Sequence, residues 1–116
     1  ENPFMMYGNN HTRSFCFVSD AIEATVRSME VSSNNHEIFH IGTEEEIIIE
    51  ELIKEVGKIL NFLGEYIPAE AHSGSIGRRC PDISKAKREL AYQPKVLLKD
   101  GLKNTVKWYK DHYHRI

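Results

Sequence analysis

The stretch GRRCPDISKAKREL, Gly77 to Leu90, decides how the rest of the chain is read. Two adjacent arginines, Arg78 and Arg79, stand just ahead of Pro81 and Asp82, and a lysine-rich run follows. Pro81 fixes its own φ and offers no backbone donor, so it stiffens a turn at this point. Asp82 is suited to capping a following helix or to bonding back into that turn. The segment from about Ser84 to Leu90 reads as a short helix, and Pro94 in AYQPKV prevents its continuation. The arginines are thus expected in a loop. Such a pair can be a solvated surface with an ordinary salt bridge. It can also be the planar fork of donors that holds a carboxylate or a diphosphate.

Working outward, FMMY, Phe4 to Tyr7, reads as a short strand closed by the Gly8-Asn9-Asn10 turn. TRSFCFV, residues 12–18, alternates like a second strand, with Arg13, Phe15 and Phe17 on one side and Ser14, Cys16 and Val18 on the other. Ser19 or Asp20 then caps a helix, and Asp20 with Glu23 resembles a capping box. Ile22, Thr25, Val26 and Met29 give that helix one apolar stripe. Ser32 to His36 is a loop, and EIFHIG is a strand ending at Gly42. Ile47 to Ile49 extend the chain or form a short strand. Leu52, Ile53, Val56, Ile59, Leu60 and Leu63 follow at helical spacing up to Gly64. EYIPAE is a further strand, with Pro68 at an edge. A last helix runs from about Lys99 to Tyr113, with Leu102, Val106, Tyr109 and Tyr113 on its inner face. The expected fold is α/β, with few short strands and about four helices, in one domain over residues 1–116.

The chain has 116 residues and a net charge of −2, unevenly spread. Residues 1–77 hold 4 lysines and arginines against 13 acids, and residues 78–116 hold 11 against 4. Such asymmetry fits an anionic partner, or two halves that pack together with the lysines facing water. Nucleic acid is disfavoured as that partner, because no exposed aromatics are interleaved with the basic third and no reader motif is present. No segment is apolar enough to span a bilayer, and the polar start does not read as a secretion signal. Cys16 and Cys80 lack metal or redox spacing and read as reduced thiols of a cytoplasmic protein.

Several chemical motifs are missing. There is no Gly-rich phosphate loop, no Tyr-x-x-x-Lys pair and no Gly-x-Ser-x-Gly elbow. His36, His40 and His72 are dispersed, and His112 and His114 read as a surface end rather than a metal site. The residues alone describe a binding module, or part of an enzyme.

Two stretches, taken together, resemble a known superfamily. YGNNHTRSFCFVSD resembles Y-G-x-G-x-Q-x-R-x-F-x-x-V-x-D of the extended short-chain dehydrogenases/reductases. RRCPDISKAKRELAYQPKVLLKDGL resembles their R-x-P-D-x-x-K-A-x-x-x-L-G-W-x-P-x-x-x-L-x-x-G-L. Between them FHIGTEEEIIIEELI resembles F-N-I-G-x-x-x-x-x-T-I-x-E-L. The sugar-nucleotide members look most similar, above all UDP-glucuronate decarboxylases. The second glycine of the first motif is absent, its loop is one residue shorter, and His11 stands where Gln is usual. Ala91 and Tyr92 replace Gly and Trp of the second.

The resemblance implies a small C-terminal substrate-binding domain, with the Rossmann domain, its NAD loop and its catalytic Tyr-Lys pair lying upstream. It implies NAD in the full-length enzyme and none on this chain. The partner it implies is a UDP- or dTDP-linked sugar, oxidised at C4 before decarboxylation, dehydration or epimerisation. It implies that Pro3, Phe4, Met5, Met6 and Tyr7 wrap the base, that Arg13 contacts the sugar nucleotide, and that Arg79 reaches its phosphate or carboxylate end. No residue of this chain is expected to be catalytic. A stand-alone nucleotide-sugar-binding or regulatory module is the alternative. Self-association is expected to cover the face left toward the upstream domain.

Overall fold

The computed structural model describes residues 3–31 and 37–113, so the expected loop at 32–36 and His114 fall outside it. In chain order its elements are β1 (Phe4–Tyr7), β2 (Thr12–Ser14), α1 (Val18–Glu30), β3 (Glu46–Ile48), α2 (Ile49–Leu60), β4 (Tyr66–Ala69), β5 (Arg78–Arg79), α3 (Ser84–Leu90) and α4 (Leu98–His112). This is the small α/β arrangement with four helices that the sequence implies.

β1 and β4 pair in parallel, from Phe4 opposite Tyr66 to Tyr7 opposite Ala69. Pro68 is tolerated because each strand of this two-stranded sheet has an open edge. The second sheet has the order β3-β2-β5. β2 runs antiparallel to β3, with Arg13 opposite Ile47 and Ser14 opposite Glu46. It runs parallel to β5, with Thr12 opposite Arg78 and Arg13 opposite Arg79. The loop expected at Arg78 and Arg79 is therefore a two-residue strand, drawn into the sheet by the Thr12 amide donating to the Gly77 carbonyl at 2.9 Å.

Four other expectations are corrected. β2 stops at Ser14, and the carbonyl of Phe17 accepts the amides of Asp20 and Ala21 to open α1. Asp20 lies inside that helix and caps nothing, since Phe17 is the N-cap and has no side-chain bond. The segment 37–42 joins no ladder. Phe39 and Ile41 pack on the core there, and a Cβ on Gly42 would come within 2.7 Å of the Pro81 ring. α2 ends at Asn61, in the left-handed region at φ 55°, before Gly64 is reached.

The core is small. Ala24 of α1 and Ala86 of α3 let the two helices approach, and Ile83, Leu90 and Tyr92 complete the cluster. Arg27 closes the joint by donating to the carbonyls of Leu90 (3.1 Å) and Ala91 (2.6 Å), the open end of α3. The apolar stripe of α1 faces the other way: Ile22 and Val26 are 57% and 48% exposed, and Met29 is more so. On α4, Leu102 and Val106 are half-buried, but Tyr109 and Tyr113 are exposed, so the expected inner face holds only for the first half of the helix.

The result is a thin slab of 52 × 34 × 19 Å with a radius of gyration of 17.0 Å. A self-contained chain of this length averages about 13 Å. Its accessible surface of 8535 Å² exceeds the roughly 6,500 Å² usual for this mass.

Candidate functional site

Residues directly opposite one another on neighbouring strands share a face of the sheet. Arg13, Ile47 and Arg79 therefore share one face of β3-β2-β5, and Thr12, Arg78 and Glu46 the other. Two arginines far apart in sequence thus stand side by side. Arg13 is half-buried and donates through Nη1 to the carbonyls of Thr12 (2.7 Å) and Gly77 (3.4 Å). It has no acidic partner among the described residues, and Arg79 is exposed and has none either. The pair presents uncompensated positive charge with donors to spare, the chemistry of an anion clamp.

Arg78 is the opposite case. Its Nε lies 3.1 and 3.0 Å from the two carboxylate oxygens of Glu46, and its Nη2 lies 2.5 Å from one of them. Thr12 Oγ1 donates to the same carboxylate at 3.0 Å. The hydrogen bond from Arg78, and then that from Thr12, holds the Glu46 carboxyl below the usual carboxylate range. Glu46 was not singled out in the sequence; within an acidic run, nothing local marks one member as the partner of a strand 32 residues on.

The residues of β1 divide by pleat. Met5 and Tyr7 lie on one face, both exposed, with Ile67 opposite Met5. Tyr7 stacks on His72 at 4.8 Å. Phe4 turns the other way, toward a groove of about 810 Å³ lined also by Val56, Leu60, Phe62, Leu63 and Tyr66. Met6 is 2% exposed, so its side chain packs inside. Pro3 is exposed just ahead of the strand. The two sheets are joined by the turn after Tyr7 and by the segment 70–77, where Ser75 Oγ lies 3.4 Å from His11 Nδ1. Neither Arg13 nor Arg79 lines the groove.

Asp82 accepts from the Ser84 amide at 2.9 Å and so bonds back into the turn ahead of α3, whose N-cap is Ile83 and has no side-chain bond. Asp20, the acid of the first motif, is buried and accepts from the amides of Lys95 and Val96, both at 3.0 Å. It fastens the Pro94–Val96 segment to α1. Tyr92 donates to the Gly42 carbonyl at 2.7 Å, and burial raises its pKa far above the phenol range. Among the described residues no group of three or more His, Cys, Asp or Glu could hold a metal ion, and no helix is long and apolar enough to cross a membrane.

No family model matches the chain. It is 33% identical over 114 residues to a UDP-N-acetyl-alpha-D-glucosaminuronate decarboxylase of Bacillus cytotoxicus, covering 92% of this chain and 35% of that protein. It is 40% identical over 91 residues to UDP-glucuronic acid decarboxylase 3 of Arabidopsis thaliana, covering 78% of this chain and 26% of that one. Among solved structures it resembles a UDP-glucuronic acid 4-epimerase from Bacillus cereus in complex with UDP-glucuronic acid and NAD. The TM-score is 0.84 at 31% identity, over 94% of this chain and 35% of that one. The chain thus spans about a third of the length of such relatives. It carries neither a Gly-rich loop nor a Tyr-x-x-x-Lys pair. The chain belongs, as a homologue of their C-terminal part, with the NAD-dependent nucleotide-sugar epimerases and decarboxylases of the extended short-chain dehydrogenase/reductase superfamily.

Proposed function

We propose that this chain binds a nucleotide sugar for an NAD-dependent epimerase or decarboxylase, and that Arg13 and Arg79 together grip the diphosphate. The observation that carries this reading is their side-by-side placement on one sheet face, with no acid to neutralise either among the described residues. A diphosphate offers several anionic oxygens, and two guanidinium forks can each take two. The exposed face of β1, with Pro3, Met5 and Tyr7, supplies an apolar wall for the base, whereas Phe4 and Met6 support that wall from behind. Contacts made at this end aim the sugar at chemistry performed elsewhere, and their energy is expressed as positioning.

The test is titration of the purified chain with UDP and with UDP-glucuronic acid by calorimetry at low and high salt. Binding should weaken about tenfold or more on Arg13→Ala or Arg79→Ala, and wild-type binding should be salt-sensitive. Alanine variants that bind like the wild type would overturn the clamp.

The exposed stripe of α1 supports a further part of this reading, in which an upstream NAD-binding domain packs on that face and the chain alone has no turnover. An α-helix that buries only Asp20 and Ala24 and turns its larger apolar residues to water lacks a layer. The excess surface and the one-third coverage of the relatives fit the same arrangement. Self-association is the competing cover and a stand-alone module the competing role. A concentration-independent monomer in sedimentation would exclude the first, and conversion of a UDP-sugar by residues 1–116 with NAD would sink the claim of inactivity.

A further inference from the structure

We infer that Glu46 is a positioning residue that selects which of two adjacent arginines, Arg78 or Arg79, reaches the anion-facing side of the β3-β2-β5 sheet. The inference rests on the clamp proposed above. Successive residues of a strand point to opposite faces, so one of the two arginines must face Arg13 and the other must face away. Composition cannot choose, because both are arginine. β5 is two residues long, and its ladder with β2 is correspondingly short. A slip of one residue would exchange the faces.

Glu46 breaks the tie. It lies opposite Ser14 on β3, on the face of Thr12 and Arg78, and its single carboxylate engages both of them. One acid therefore ties all three strands together across the sheet. The two-oxygen contact to Nε and Nη2 needs a guanidinium on that face, and Arg78 supplies it. Two other acids nearby are engaged elsewhere: Glu44 with Lys87 at 2.6 Å, and Glu50 with Lys54 at 2.6 Å and Asn9 at 3.1 Å. With Arg78 held behind the sheet, Arg79 is delivered beside Arg13, where neither arginine has an acidic partner among the described residues.

Glu46→Ala gives the two contributions opposite signs. Removing an acid close to a bound dianion should tighten binding by simple electrostatics. Loss of a single register, which leaves neither arginine fixed beside Arg13, should weaken it, by up to about tenfold as in Arg79→Ala. UDP affinity is therefore measured for wild type, Glu46→Ala, Arg79→Ala and the exchanged pair Glu46→Arg with Arg78→Glu. In parallel, backbone proton contacts between Arg13 and Arg79 are followed by NMR without ligand. Weaker UDP binding and loss of the Arg13–Arg79 contacts in Glu46→Ala, with recovery in the exchanged pair, support the inference. Unchanged or tighter binding in Glu46→Ala, while Arg79→Ala binds weakly, overturns it and leaves the clamp standing. If Arg79→Ala binds like wild type the clamp itself falls, and the NMR contacts alone then decide whether Glu46 sets the register.

Discussion

The hydroxyl of Tyr66 occupies the space beside Gly57 that any side chain would fill: a Cβ there would lie 1.8 Å from the Tyr66 oxygen. The contact seats Tyr66 of β4 against the last turn of α2, and Phe62 and Tyr66 meet edge to face at 5.2 Å. Alanine at 57 would gain about 1 kcal/mol of helix propensity. The clash outweighs it, because the ring is wedged by Phe4 and Phe62. Gly57→Ala should destabilise the chain by about 1–3 kcal/mol in urea unfolding. Adding Tyr66→Phe should restore most of the loss, since the ring carbon lies 3.1 Å from the new Cβ.

Ala91 holds a left-handed conformation, φ 49° and ψ 32°, at the end of α3. A Cβ costs energy there and glycine avoids the cost, at some expense in unfolded-chain entropy. Ala91→Gly should raise stability by about 0.5–1 kcal/mol, seen as a melting temperature higher by roughly 2–5 °C. A lower melting temperature would contradict this account of the cap.

Asp20 is 3% exposed and holds two amides of the segment after Pro94. Asp20→Ala should cost about 2–4 kcal/mol, because both amides lose a charged acceptor in a place closed to water. Asp20→Asn, which keeps one acceptor oxygen, should lose less. Equal losses for the two would show that the packing of α1, and not the acceptor, is what matters.

Acid should loosen the β3-β2-β5 sheet. The carboxyl of Glu46 is held below its ordinary value of 4.5 by Arg78 first and Thr12 next. A depressed folded value means stabilisation that is complete above about pH 4.5 and is lost as pH falls through the folded value. Hydrogen exchange of the Thr12 amide should therefore be flat from pH 7 to about 5, after correction for intrinsic rates, and lose protection below that. In Glu46→Gln the protection should be lower at neutral pH and should not fall further on acidification over that range.

Much of the fold was legible where local chemistry decides it. Pro81, Asp82 and Pro94 bracket α3, and the structure places that helix at the residues expected. Gly8 turns the chain after β1 at φ 62°. What escaped the sequence was decided at long range. β5 carries no strand pattern of its own and exists because Gly77 accepts from Thr12. The stripe of Ile22, Val26 and Met29 announces an amphipathic helix, but periodicity cannot say which layer covers it. Of the candidate site, Arg13 and Arg79 were named without any sign that they are neighbours. The resemblance that places Met6 near the base carries the strand over whole, and nothing in FMMY shows that its third residue is the buried one.

Arg13 and Gly77 are 64 residues apart in the chain, yet they meet at one hydrogen bond beside the arginine pair. Closing so long a loop costs entropy that only the finished sheet repays, so this contact should form late, after α1, α2 and α3 have taken shape. A diphosphate held by both arginines would then act as a latch on the last step of folding. It would slow the opening of β5 from β2, and chains still short of that step would find it nothing to bind.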